Sequence, residues 1–236
     1  TIGFIKALIP LIICFTLFFL VAIQPDLGTA VIILILGLIA IFYAGINLIY
    51  PIISLIGIAL ASPFLWTLLK PYQQNRIMIF LNPDLDPLGK GYHIIQSKIA
   101  IGSGGQNGNG FLGGSQSSLD FLPEKETDFV FAIFSEQFGF TGSMIVLGLF
   151  LIFFLIPILK SFKLSQVFNK LILFVLSFKI FFEFLINISM TIGLVPVVGV
   201  ALPFMSYGGS SLLSNLIICA LLINFMSITE KKRMFS

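Results

Sequence analysis

Apolar residues run almost unbroken along most of the chain, and the polar ones gather at a few places between the runs. A helix needs about 20 mostly apolar residues to cross about 30 Å of hydrocarbon. Six stretches qualify, at 4–22, 27–44, 46–69, 129–159, 171–195 and 209–228. Lipid offers no hydrogen bonds, so a spanning segment must satisfy its own backbone, and a helix does this within one segment. The pattern therefore predicts an all-α, polytopic transmembrane helix bundle with six spans and a large extracytoplasmic loop at 70–128. It reads as a single membrane domain over 1–236. The fourth stretch is too long for one straight span, so its first turns are expected at or above the membrane surface. The first stretch lacks a basic leader and a small-residue cleavage site and reads as a span, not a signal peptide.

Composition sharpens this. Hydrophobic residues make up 58% of the 236 and charged ones only 10%, against about 25% charged in a soluble domain. A water-soluble surface is excluded. The net charge of +3 matters through its placement. Lys160, Lys163 and Lys170 sit between the fourth and fifth spans, Lys231, Lys232 and Arg233 follow the last, and Lys6 lies at the first. All three groups fall on one side, which the excess of basic residues marks as cytoplasmic. The 70–128 loop then faces outside. Membrane lipids, not nucleic acid, are the expected surroundings. Cys14 and Cys219 lie in apolar runs far apart and there is one His, so no zinc site is expected. Within the fifth span Lys179 and Glu183 share a helix face. They fit a structural ion pair, or a functional one facing the bundle interior.

Three segments carry candidate chemistry. In Gln24-Pro25-Asp26-Leu27-Gly28-Thr29, Asp26 suits a helix cap or the lining of a polar cavity. The outer loop holds Arg76, a turn-rich run with Asp84 and Asp86, and Gly91-Tyr92-His93-Ile94-Ile95-Gln96-Ser97-Lys98. This last stretch reads as a short amphipathic piece, with Ile94, Ile95 and Ile99 dipping into lipid. Seven of the thirteen residues from Gly102 to Gly114 are glycine; such amides can hold phosphate oxygens, and a flexible loop without a ligand fits equally. The loop ends with Asp120, Glu124, Glu126 and Asp128, four acids in nine residues before an apolar helix. Acids there complement the helix dipole. Asp128, at the membrane edge, is also placed for general-base work, because partial desolvation raises a carboxylate's pKa. The third segment, Gly193 to Ser211, is too rich in proline and glycine to stay helical. Irregular backbone at membrane depth survives only inside protein or beside a watery cavity, so it is expected to line a cavity on the outer side, with Ser210 or Ser211 capping the last span.

Gln-Pro-Asp-Leu-Gly-Thr at 24–29, the loop from Asp86-Pro87-Leu88-Gly89 through Gly-Tyr-His-Ile-Ile-Gln-Ser-Lys-Ile-Ala-Ile-Gly-Ser-Gly-Gly to Phe-Leu-Pro-Glu and Thr-Asp-Phe, and Val-Pro-Val-Val-Gly-Val with Ser-Tyr-Gly-Gly-Ser together resemble the SEDS family (shape, elongation, division and sporulation). The loop resembles its rod-shape, RodA-like branch more than its division branch. The resemblance covers the chain and implies about ten spans, of which these six match the last.

It also implies a peptidoglycan glycosyltransferase of the bacterial inner membrane that polymerises lipid II on the outer face for elongation and rod shape. Asp128, in Thr-Asp-Phe, takes the catalytic position. Asp120 stands where the family usually has Glu, Asn109 where it often has a basic residue, and Glu126 where it often has His. Arg76, Gln96, Lys98, Ser115, Gln116, Asp120, Asp26 and Ser206 are the expected substrate-binding residues, with Arg76, Lys98 and the glycine-loop amides toward the departing diphosphate. A divalent cation (Mg or Mn) is implied as a cofactor. The implied partners are a class B penicillin-binding protein (a transpeptidase) and other membrane proteins of the elongation complex. Two other functions suit many spans and a broken segment: a lipid II flippase or transporter, and a scaffold without chemistry for the transpeptidase.

Overall fold

The computed structural model describes residues 4–24, 26–45, 56–57, 60–64, 66–67, 69–87, 89–111, 113–114 and 126–234. All regular structure among them is helical: α1 (Phe4–Ile23), α2 (Leu27–Tyr43), α3 (Pro71–Leu81), a single 3-10 turn (Pro83–Leu85), α4 (Lys90–Ser103), α5 (Val130–Ser161), α6 (Val167–Thr191) and α7 (Gly209–Met234). Five of the six predicted spans coincide with α1, α2, α5, α6 and α7. Most of the remaining one, 46–69, lies outside the described residues. By length and composition α5, α6 and Gly209–Ser227 of α7 can each cross a membrane, and α1 and α2 contribute shorter apolar stretches, Leu8–Ile23 and Gly28–Tyr43. The protein is an all-α, polytopic membrane helix bundle.

Local chemistry sets the helix ends. Asp26 caps α2, its Oδ1 accepting from the Thr29 N–H at 3.1 Å. This places α1 and α2 in a tight hairpin, packed where Gly37 leaves no more room than the Cys14 thiol occupies; small residues allow such close approach between spanning helices. Pro71 opens α3, where its missing N–H leaves no orphan. Ser210 and Ser211 fall inside the first turn of α7, not at its cap, because the helix already begins at Gly209.

α5 and α6 form the central antiparallel pair. Phe131 and Phe154 of α5, Phe184 of α6 and Leu202 beyond it form one buried cluster. Leu173 and Ile180 of α6 meet Ile218 and Leu222 of α7 in another. On the side expected to be cytoplasmic, Tyr43 at the end of α2 stacks on Phe174 with ring centroids 3.9 Å apart, and its hydroxyl hydrogen-bonds Ser161 at 3.1 Å. The outer stripe of α5, Ile145, Leu149, Ile152, Ile156 and Leu159, is exposed. A continuous apolar stripe facing outward at helical spacing suits lipid, not water.

The overlong fourth stretch resolves into two helical pieces. Gly139 interrupts α5 with φ +66° and ψ −165°. A break orphans the amides and carbonyls on either side of it, and the glycine-rich loop after α4 supplies the partners. Asn109 N–H donates to the Glu136 carbonyl at 3.0 Å and Gly110 N–H to that of Gln137 at 3.1 Å. In return, Phe140 N–H donates to Gly105 O at 2.9 Å and Thr141 N–H to Gln106 O at 3.1 Å. A side chain at Gly139 would run into the backbone of Asn107 and Gly108, and one at Gly108 into that of Gln137. The two glycines interlock. The break divides α5: the piece before Gly139 packs with α4, and the piece after it carries the exposed apolar stripe.

α4 docks on the end of α6, where Ser97 Oγ donates to the Thr191 carbonyl at 2.8 Å. Ile94, expected in lipid, is 3% exposed and packs toward Gly193. Ile99 is exposed, as expected. The helix thus turns part of its apolar face inward onto protein, because the irregular segment after α6 needs a cover.

Candidate active site

After α6 the chain leaves helical geometry and returns to it only at Gly209. Gly193 and Gly199 take positive φ, +74° and +77°, and so does Phe204, at +64°. A bulky residue there is strained, and such strain clusters at functional sites. The segment is nonetheless well held. Leu202 N–H donates to Ser206 Oγ at 2.7 Å, and that hydroxyl donates to the Thr127 carbonyl at 2.5 Å. Asn187, buried in α6, donates through Nδ2 to the carbonyls of Val200 at 2.8 Å and Asp128 at 3.0 Å. Tyr207 N–H donates to the Glu126 carbonyl at 2.7 Å.

Three consecutive carbonyls, those of Glu126, Thr127 and Asp128, are therefore fastened to the broken segment or to α6. Behind them Phe129 is 1% exposed and packs with Ala100 and Ala132. The main chain of Asp128 cannot shift without breaking these contacts. Its carboxylate lies beside Gly199, where an added methyl would sit 3.5 Å from Oδ2.

The other candidates meet the same segment at successive points. Lys98 extends from α4 over Gly193, leaving no space for a side chain there. Arg76 of α3 lines a cavity of about 200 Å³ whose walls include Gly28, Ile186, Pro196 and Val198. Gly28 lies so close to Val198 that an added methyl would be 2.9 Å from its carbonyl oxygen. This brings the Gln24–Thr29 corner onto the segment, although Asp26 itself is exposed and acts as a cap. Ser206 belongs to the segment and works as a brace. Gln96 is half-buried on α4, two residues and so about half a turn from Lys98. Ser115, Gln116 and Asp120 lie outside the described residues.

The glycine loop behaves differently from its reading as a phosphate cradle. Its amides at Gly108, Asn109, Gly110 and Gly113 all donate to protein carbonyls, so these four are not directed at a ligand. For the implied divalent cation, the described residues contain no group of three or more His, Cys, Asp or Glu side chains that could hold a metal.

With this geometry in view, comparison with known proteins decides the family. Residues 3–231 match the cell cycle protein family FtsW/RodA/SpoVE. The chain belongs to that family. Peptidoglycan glycosyltransferase MrdB of Escherichia coli (strain K12) is 43% identical over 206 residues, covering 87% of this chain and 56% of that protein. Stage V sporulation protein E of Bacillus subtilis (strain 168) is 39% identical over 224 residues, 94% of this chain and 59% of its own. A solved chain from work on the structural coordination of polymerization and crosslinking by a peptidoglycan synthase complex aligns with a TM-score of 0.78 at 31% identity, over 95% of this chain and 62% of that one. This FtsW/RodA/SpoVE chain spans about half the length of the curated relatives it matches.

Sequence reasoning missed Asn187 as the anchor of Asp128. A signal was present: Lys179, Glu183, Asn187 and Thr191 recur every four residues along an otherwise apolar span, which marks one inward face. Lys179 does pair with Glu183 at 2.8 Å, and its ammonium also donates to Asn215 of α7 at 3.0 Å. The pair fastens α7 to α6. Glu136 lies fully buried beside the α5 break, approached by Ser103 at 3.5 Å. Its burial at the kink could not be read before the break was known.

Proposed function

We propose that the protein is a peptidoglycan glycosyltransferase that polymerises lipid II into glycan strands for cell elongation and rod shape, with Asp128 as general base. The observation that carries this reading is the fastening of Glu126, Thr127 and Asp128 to the irregular segment, with the Asp128 carboxylate against Gly199. A base must be held still to be useful, since misplacement of the order of 1 Å can cost a large factor in rate. The names of the relatives point to the same chemistry.

In the proposed reaction Asp128 takes the proton from the 4-hydroxyl of the acceptor sugar. The oxygen bonds to the anomeric carbon of the donor, and the bond from that carbon to the lipid diphosphate breaks with inversion. Its electron pair leaves with the diphosphate. Arg76 and Lys98 are the cations that would steady the departing charge, the Arg fork suiting phosphate geometry best. No step is assigned to a cation. The site faces the exterior of the bacterial inner membrane, with the C-terminus cytoplasmic, as the basic residues at 160–170 and 231–233 favour. A class B penicillin-binding protein is the partner that would cross-link the product.

The test is polymerisation of purified lipid II by the full-length protein carrying Asp128→Asn. General-base help is worth about 10²–10⁴-fold, and a loss of that size is expected. Near-normal product would reject the assignment.

A further inference from the structure

The end of the bundle expected to be cytoplasmic carries cations that the chain itself does not answer. No Asp or Glu occurs at 27–83 or 137–182, the stretches that build α2, the later part of α5 and the start of α6. After Glu183 the only acid is Glu230, next to Lys231, Lys232 and Arg233. Lys163, in the α5–α6 turn, and Lys170, near the start of α6, have no carboxylate partner among the described residues. Orienting a membrane protein needs only an excess of basic residues on one side; it does not need any of them held in place. Lys170 is held. Its Nζ lies 5.3 Å from the centre of the Tyr43 ring and 5.9 Å from that of Phe162, within cation–π range. Tyr43 is fixed in turn, stacked on Phe174 and bonded to Ser161. The Ser161 proton goes to the Ile158 carbonyl at 2.6 Å, so the phenol is the donor. An ammonium has three donors, and the rings face it on one side only. Beside the lysines, Phe162, Val167 and Phe168 are 57%, 64% and 69% exposed. Open apolar and aromatic side chains next to cations suit the layer where acyl chains meet head groups.

We propose that the corner where α2 meets the α5–α6 turn is a binding site for an anionic phospholipid of the bilayer, its phosphate held by Lys163 and Lys170 and its chains lying along Phe162 and the outer stripe of α5. The site is independent of the glycosyltransferase reading. Two features favour a lipid over a soluble phosphate or an acidic protein segment. A soluble anion would leave the apolar rim of Phe162, Val167 and Phe168 in water, whereas a lipid covers it. The exposed residues Ile152, Ile156 and Leu159 lead along α5 toward the same turn, so a chain resting there continues into hydrocarbon. A lysine near an anionic surface strengthens binding roughly fivefold. Holding Lys170 against two rings also removes part of the entropy cost of ordering a long side chain. Because Tyr43 belongs to α2 and Lys170 to α6, the occupied site ties these helices together at this end.

The experiment is native mass spectrometry of the purified full-length protein in detergent, titrated with dioleoylphosphatidylglycerol and separately with dioleoylphosphatidylcholine, which has the same chains and no net charge. Phosphatidylglycerol should bind about tenfold more tightly. The double variant Lys163→Gln/Lys170→Gln should remove most of that preference, and Lys170→Arg, which also packs on aromatic rings, should keep it. Tyr43→Leu leaves both lysines but takes away a ring, and should weaken phosphatidylglycerol with the unfolding temperature checked alongside. Lys231→Gln/Lys232→Gln removes the same number of charges elsewhere and should leave the preference nearly unchanged. Glycerol 3-phosphate should not compete. Equal binding of the two lipids would overturn the proposal. So would an equal loss in the two double variants, since that is attraction by net charge without a site. Competition by glycerol 3-phosphate at the lipid's own concentration would make the corner a soluble-phosphate site and overturn the lipid assignment. A preference untouched by Lys163→Gln/Lys170→Gln would place the bound lipid elsewhere and overturn it as well.

Discussion

Two glycine-rich stretches, 102–114 and 193–209, look alike as text and do opposite things. Both adjoin a helix end and both use left-handed glycines. In the first, the loop presses its backbone into the break in α5, and the amides and carbonyls of each satisfy the other. Nothing is left over for a ligand at Gly108, Asn109, Gly110 or Gly113. In the second, the irregular backbone is braced from outside, by Asn187 and by Ser206 within it, and the bracing reaches across to the three carbonyls before Phe129. That leaves its surface to be met by Asp128, Lys98, Gly28 and the cavity under Arg76. Glycine density marks where a chain departs from regular structure. Where the freed hydrogen-bonding groups find partners decides whether the departure is a joint or a site.

If this contrast is right, glycines of the two stretches should fail in different ways. The largest effect is expected for Gly139→Ala, which adds a side chain against the Asn107–Gly108 backbone at positive φ. Backbone strain plus the forced separation should destabilise by about 3 kcal/mol or more, seen as a lowered unfolding temperature in detergent; an unchanged value would dissolve the interlock. Next comes Asn187→Leu. It leaves the Asp128 and Val200 carbonyls without their donor, a loss of about 2 kcal/mol, and it should lower lipid II polymerisation further than the stability loss explains. A variant as active as wild type would show that the main chain at Asp128 needs no such anchor. Gly199→Ala meets only the Asp128 carboxylate, so its stability cost should be about 1–2 kcal/mol for the left-handed conformation, with turnover suffering more than folding. Normal turnover there would separate Gly199 from the site. Smallest of all, Gly102→Ala lies in helix with open space around it and should stabilise by about 0.5–1 kcal/mol; a marked loss would mean that this end of the cluster also has a packing role.

Much of the fold was legible because hydrophobicity is a local signal and lipid enforces it strictly. Asp26 as a cap, the pair Lys179 and Glu183, and the irregular nature of the segment after α6 all followed from neighbours in sequence. Ile94 did not. Whether an apolar residue on a surface helix faces lipid or protein depends on what lies opposite, and here Gly193 does. The break at Gly139 was also hidden, since the polar residues around it, Ser135, Glu136, Gln137 and Thr141, fit an unbroken helix equally well and only the loop that fills the break stabilises a kink.

The sequence by itself determined that this chain lies in a membrane, roughly where its long apolar helices run, and which residues have the chemistry to act. Those properties depend on residue type and spacing alone. Only the tertiary structure decided that Asp128 is pinned by Asn187, 59 positions away, that the amides of Asn109 and Gly110 in the glycine loop serve a helix break, and that Arg76 stands between two hollows. Each of these is a pairing between distant backbone or side-chain groups, settled by which buried hydrogen-bonding atoms can reach a partner once the helices have packed.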